Sequence, residues 1–322
     1  MINLPNKDRV IFEMAYRVSD IINEYQTTGK VGIATNNEGL CLQSAKFYPL
    51  LDYICKQFDI AKSNVTIITN NIEEGHDQYT IRINGDHWIS ASKSVLNWRI
   101  HSKQQELKHV GCFIGKPNWH RMITSAWLYN MYQDLCLQTI HYDPTSLRHR
   151  IDAELTEINI EAPAELDFVI GFIKNCPLTL DEGFLNYTIG PPTHYNIINS
   201  YQHIFVDLVV ETYVSGLTFF PTEKTLRPII ASTPFIIMGP KGYLSNLQRI
   251  GVKTFSNWWD ESYDEFSNYE RILAIRQVLL KIFQMTQLEI HHILIEMAPV
   301  LTHNRQHLQQ LNATDIKLVN DK

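Results

Sequence analysis

The chain has 322 residues, 28 Lys and Arg against 34 Asp and Glu, and a formal net charge of −6. That length suits two domains of roughly 150 residues each, and an apolar content of 44% with well-spaced Leu, Ile and Val runs excludes a disordered chain. The acidic balance argues against broad binding to a phosphate backbone, which needs a basic face to release counterions, so no nucleic-acid partner is expected.

Residues 7–26 set Val10, Met14, Val18, Ile21, Ile22 and Tyr25 at helical spacing and predict an amphipathic first helix, stopped by Gly29. Lys30 to Thr35 reads as a short buried strand that runs into the polar loop Asn36-Asn37-Glu38-Gly39. A helix is predicted over 44–58 and a second buried strand over 65–69; strand, loop, helix and strand in this order suggest a parallel sheet. Alternating stretches at 79–83 and 88–96 read as half-exposed strands, 109–115 as another buried strand, and 119–136 as an aromatic-rich helix.

Residues 143–163, bracketed by Pro144 and Pro163, are the expected link between an N-terminal α/β domain over 1–158 and a C-terminal one over 159–322, with an exposed helix at 145–158 as the other reading. Beyond it come a helix at 163–174, a strand at 204–211, a helix around 223–232, a strand at 234–238 and a helix at 241–250. A strand at 252–255, a helix at 262–285 and a closing helix at 287–311 complete the pattern.

Met1 to Val10 has no apolar core of a secretory signal. The longest apolar stretches, 204–220 and 226–240, are broken by Asp207 and Glu211 or by Arg227, Pro228 and Pro234. No membrane span is expected, and the expected location is cytoplasmic. The five cysteines, Cys41, Cys55, Cys112, Cys136 and Cys176, are scattered without a Cys-x-x-Cys pair and read mostly as small buried residues of a reducing compartment.

In open α/β sheets ligands sit at the carboxyl ends of strands, and Glu211 falls at such an end. A carboxylate there can accept both hydroxyl hydrogens of a ribose; on spacing alone it reads equally as an ion-pair partner of Lys224 or an arginine. Thr222 suits a helix N-cap, with Glu223 favoured by the same helix terminus, and Lys224 and Arg227 close behind to hold a diphosphate. Pro228 suggests that the helix begins near Arg227 and leaves Thr222-Glu223-Lys224 in the preceding loop. Arg121, opening a helix after Gly115-Lys116-Pro117, reads either as a phosphate-neutralising residue facing an interdomain cleft or as a surface ion-pair partner.

Phe205 to Phe235, with Glu211, Thr222-Glu223-Lys224 and Pro234-Phe235, resembles the donor-nucleotide signature of the fucosyltransferase-like glycosyltransferases, where a Phe-Glu-Asn strand end precedes a Thr-Glu-Lys helix start and a Val-Pro-Val strand. Val210 and Thr212 stand here where that family has Phe and Asn. Gly251 to Phe255 followed by Asp260 to Asp264 is similar to an extension of uncharacterised bacterial and viral relatives. The Gly115-Lys116-Pro117 to His120-Arg121 segment resembles their Gly-x-Pro and His-Arg element and, more distantly, that of exostosin-like transferases.

The resemblance implies two Rossmann-like α/β domains facing a cleft, the GT-B type, with a closing C-terminal helix. It implies transfer of a sugar from a nucleotide diphosphate sugar to a glycan or other hydroxyl acceptor, with Glu211 on the ribose and Thr222, Glu223 and Lys224 around the diphosphate and sugar. An inverting transferase also needs a base; Glu38, in the loop after a strand, is the best-placed candidate, ahead of Glu73, Glu74 and Asp86. Asp260, Glu261 and Asp264 lack Asp-x-Asp spacing and read as first-turn acids of a helix capped by Ser262, so neither a metal nor any cofactor besides the sugar nucleotide is expected. A non-catalytic α/β binding or assembly module, or a nucleotide-sugar hydrolase, are the alternatives.

Overall fold

The computed structural model describes residues 2–4, 14, 17–35, 39–83, 93, 96, 102–142, 151–184 and 193–311. The chain is α/β and folds as two compact units. The first is made of Met1–Ile89, Ser215–Thr222 and Leu311–Lys322, the second of Ser90–Val214 and Glu223–Gln310. Each holds a four-stranded parallel sheet.

In the first unit the chain runs β1 (Ile2–Leu4), α1 (Val18–Thr28), β2 (Val31–Thr35), α2 (Phe47–Gln57), β3 (Val65–Thr69) and β4 (Thr80–Ile83), and the strands lie in that order. Helix α1 ends because Gly29 turns to φ +68°, the left-handed region, while its N–H bonds to the Tyr25 carbonyl at 2.8 Å. Phe47, Leu51, Ile54 and Cys55 recur at the spacing of one helix face, which is the face α2 buries in a core shared with Val31, Ile33, Val65, Ile67 and Ile21. Pro49 sits in the first turn, where its missing N–H is not needed.

In the second unit the elements are β5 (Lys108–Ile114), α3 (Trp119–Tyr132), β6 (Cys136–Ile140), α4 (Ile151–Glu161), α5 (Leu166–Ile173), β7 (Ile204–Val210), α6 (Glu223–Ile230), β8 (Phe235–Met238), α7 (Tyr243–Arg249), α8 (Asn268–Phe283) and α9 (Gln287–Gln310). The sheet order β6-β5-β7-β8 means that the chain moves outward from β5 to β6 and then returns past β5 to β7. With right-handed crossovers that reversal places helices on both faces and creates a switch point between β5 and β7. Helix α3 packs with α4, α5 and α8, and α6 packs with α9. All seven residues of β7 are buried, as expected of a strand covered on both faces.

Several expectations change. The boundary at 158/159 falls inside the second unit, whose sheet draws β5 and β6 from one side of it and β7 and β8 from the other. The expected link at 143–163 contains α4. Strands β1 and β6 have no counterpart among the expected elements, and residues 5–13 and most of 88–96 lie outside the described residues. Residues 252–255 form no strand: the side chain of Asn304 accepts from the Lys253 N–H at 2.7 Å and donates to the Lys253 carbonyl at 2.8 Å, replacing a ladder partner. Helix α6 begins at Glu223 and keeps Pro228 inside it, so Glu223 and Lys224 are helical rather than in the loop.

Candidate functional site

The loops that follow β5 and β7 meet at the switch point, and one stretch of sequence ties them together. Asn118 caps α3, its Oδ1 accepting from the Arg121 N–H at 3.3 Å while its amide donates to the Thr212 carbonyl at 3.1 Å. His120 Nε2 lies 2.9 Å from the Glu211 carbonyl, so this nitrogen carries the proton and donates. Arg121 donates through Nε and Nη2 to the Val210 carbonyl at 3.3 and 3.0 Å, and through Nη1 to the Lys116 carbonyl at 3.1 Å.

Arg121 is therefore a buried staple between two strand ends rather than a surface ion-pair partner. Carbonyls that leave a strand without a next ladder partner need donors, and a guanidinium supplies several in fixed geometry. Burial, together with the Arg121 charge, pushes the His120 imidazole down to about 3, against the pull of its bond to Glu211.

Glu211 extends the β7 ladder by donating its N–H to the Met238 carbonyl at 2.9 Å. Its carboxylate Oε1 accepts from the Thr225 hydroxyl at 2.6 Å and the Tyr243 hydroxyl at 3.2 Å, and the two hydroxyls are 3.1 Å apart. Thr225 comes from the first turn of α6 and Tyr243 from the start of α7. Lys224 Nζ donates to Glu223 Oε1 at 2.8 Å, so the two charged residues of the Thr-Glu-Lys turn pair with each other in a buried setting. Thr222, also buried, immediately precedes α6 and belongs to the 215–222 segment of the first unit.

Arg227 reaches from α6 to β5. Its Nη2 donates to the Phe113 carbonyl of β5 at 3.3 Å, and its charge acts on Asp207 of β7. Asp207 interrupts an otherwise apolar buried strand and accepts from the Tyr201 hydroxyl at 2.6 Å. Burial pushes its carboxyl up to about 6, opposed by Arg227, Tyr201 and Lys103. Lys103 donates to the carbonyls of Tyr201 and Ile204 and to Thr233 Oγ1 at 2.7, 2.8 and 2.9 Å; desolvation brings it down to about 7, opposed by Asp207.

The segment after β8 is held from behind. Fully buried Arg271 donates to the carbonyls of Gly239, Pro240, Asp264 and Phe266. Gly239 lies against the ring of Tyr243, where a Cβ would come within 2.8 Å of the ring. The acids expected in the first turn of a 262–285 helix are used differently, because α8 begins only at Asn268. Asp264 Oδ2 accepts from the N–H groups of Leu244 and Ser245 in α7, Glu261 Oε1 accepts from the Phe255 N–H, and Asp260 Oδ1 accepts from the Ser262 N–H. Among the described residues no group of three or more His, Cys, Asp or Glu is placed to hold a metal ion.

Of the candidate bases, Glu38 and Asp86 lie outside the described residues. Glu74 builds the first unit: its carboxylate accepts from the Leu42 N–H, the Tyr48 hydroxyl and the Asn71 amide at 3.0, 2.8 and 3.1 Å. Sequence reasoning missed Thr225 and Tyr243, and quoted His120 only as part of a motif, with no role. The first two lie 14 and 32 residues beyond Glu211, and only the Gly239-Pro240 break after an apolar run hints that the chain turns back there. Among the described residues no helix is long and apolar enough to cross a membrane. No family model matches the chain, and no curated protein matches it.

Proposed function

We propose that the chain is a glycosyltransferase that moves a sugar from a nucleotide diphosphate sugar to a hydroxyl acceptor, the second unit holding the donor. The observation that carries this reading is the place of Glu211: a carboxylate at the carboxyl end of β7, beside the β5/β7 switch point and bonded to the helix that bears Glu223 and Lys224. The motif resemblance at 204–264 supports the same assignment. In this reading the architecture is of the GT-B type, Glu211 accepts from the ribose diol, and Lys224, with Glu223 and Thr222, lies at the diphosphate and sugar. Glu38 is assigned as the base that takes the acceptor's hydroxyl proton as the new C–O bond forms and the diphosphate departs. No metal is assigned a role.

One observation favours a second reading, a non-catalytic α/β binding or assembly module: Glu211, Lys224 and Arg121 are all buried and all engage protein partners.

A thermal-shift panel of ADP, GDP, UDP, CDP and pyrophosphate separates the two, because a ligand that binds only the folded state raises its melting temperature. Stabilisation by at least one nucleoside diphosphate, lost in Glu211→Gln far more for the nucleotide than for pyrophosphate, supports the donor site. A flat panel favours the module, and equal losses remove Glu211 from the ribose.

A further inference from the structure

We propose that the second unit binds a small, neutral aromatic molecule bearing an N–H or O–H donor, in a cavity at the amino ends of β5, β6 and β7, with His203 accepting that donor. The cavity is entered where Lys108 opens β5, Leu137 follows the first residue of β6 and His203 immediately precedes β7. Glu211 follows the other end of β7, and the inference does not depend on the donor-site reading.

The cavity measures about 330 Å³, the small end of the ~300–1,000 Å³ range of ligand pockets, which suits a molecule of one or two rings. Leu107, Leu135, Leu137 and Phe184 give it an apolar wall that takes such rings out of water. Exposed Glu106, Lys108 and Asp134 bring charges of both signs to it, so neither an anion nor a cation is favoured. A metal ion is a poorer occupant, because among the described residues no group of three or more His, Cys, Asp or Glu is placed to hold one.

Two imidazoles supply the polar character. His203 is half-buried, its ring meets that of Phe184 edge-on at 5.0 Å, and neither ring nitrogen hydrogen-bonds to a described residue. Burial, with the charge of Lys103, holds this imidazole below its usual value, so at neutral pH it carries one N–H and one lone pair. His109 lies in the same wall, buried, with Nε2 2.9 Å from the Met285 carbonyl, so that Nε2 carries the proton. Its Nδ1 is buried without a hydrogen-bond partner. In the neutral ring that is a second unshared pair, and it turns the local field toward an occupant that donates.

The walls are fixed before anything binds, which lowers the ordering cost of binding. The Gln287 amide bonds both the N–H and the carbonyl of Leu107 at 2.9 Å. Lys108 Nζ donates to the Asp134 carbonyl at 2.6 Å, and the Ser200 hydroxyl to the Phe184 carbonyl at 3.4 Å.

The test titrates indole and benzofuran, which share a shape and differ in the N–H, against the full chain, with dissociation constants read from broadening of the ligand NMR lines. Indole is expected to bind about fivefold more tightly, the ordinary worth of one neutral hydrogen bond. His203→Phe keeps an aromatic ring beside Phe184 and removes both nitrogens; the preference for indole is expected to vanish while benzofuran affinity is unchanged. Leu135→Trp, which adds bulk to the wall, is expected to weaken both probes. A wild type that binds neither probe saturably, or both equally, overturns the proposal, and does so even if a variant fails to fold. A His203→Phe protein that keeps the preference also overturns it. So does a Leu135→Trp protein with unchanged affinities, because the probes then bind elsewhere.

Discussion

Asp264 Oδ2 lies 3.0 Å from the backbone nitrogen of Leu244, and 3.3 Å from that of Ser245, so an acid 20 residues downstream caps α7. The residue at the cap position itself, Gly242, has no side chain to do so. Replacing Asp264 by Ala is expected to cost about 1–2 kcal/mol, the ordinary loss of a cap, whereas Asp264→Asn, which keeps an acceptor oxygen, costs less. Urea unfolding of the two variants checks the order; equal losses would show that the charge, beside Arg271, matters more than the acceptor.

Arg271 satisfies four carbonyls with one fully buried side chain. Arg271→Met leaves these carbonyls without that donor and is expected to destabilise the protein by at least about 3 kcal/mol. Arg271→Lys rescues little, since a compact ammonium cannot span the same oxygens. The midpoint of urea unfolding reports both; a Lys variant as stable as wild type would contradict the planar-fork argument.

His120 makes stability depend on pH. Its folded value, near 3, lies below the unfolded value of about 6.5, so the neutral ring contributes stability that is fully present above pH 6.5 and is lost as pH falls toward 3. At pH 5 the loss amounts to about 2 kcal/mol. His120→Asn removes the titrating group, so the gap between wild type and variant is expected to narrow by that amount between pH 7.5 and pH 5. A gap independent of pH would show that His120 does not titrate in this window.

In the first unit, buried Asn71 accepts from the Phe219 and Glu73 N–H groups at 2.9 and 3.2 Å and donates to the Leu217 carbonyl and to Glu74 at 2.8 and 3.1 Å. Asn71→Leu preserves bulk but strands these groups, an expected loss of about 2–3 kcal/mol. It is also expected to speed proteolytic cleavage within 215–222, because that segment is tied to the loop after β3 through Asn71. Unchanged cleavage would mean that the Ile72 N–H to Phe219 carbonyl bond, at 2.9 Å, and packing hold the segment without it.

The parts of this fold that were legible are those whose signal is local. Strand β7 is a buried run with one acid, and Glu211 follows at its end, so both could be read from a window of eight residues. Helix α2 carries its buried face in its own spacing. The rest is decided elsewhere in the chain. Cys136–Ile140 follows α3 after only the short 3-10 turn Gln133–Leu135, and becomes a strand because β5 offers it a parallel edge. The unit boundary was misplaced because the central strand β5 pairs with partners on both sides of the expected link. The hydroxyl partners of Glu211 were equally invisible, because α6 and α7 bring Thr225 and Tyr243 to it from 14 and 32 residues away.

Asn71 and Leu217, joined by a hydrogen bond, are separated by 146 positions, and both belong to the first unit. On a ribosome adding about 5–20 residues per second, the nascent first sheet therefore waits on the order of ten seconds for residues 215–222 to be made. During that interval Asn71 lacks the Leu217 carbonyl and the Phe219 N–H among its mates, and the Ile72 N–H lacks the Phe219 carbonyl. A chain halted after Ile89 is consequently a poor stand-in for the first unit, and a permuted gene that places 215–222 next to the β3–β4 region would shorten the delay without altering any contact of the finished sheet.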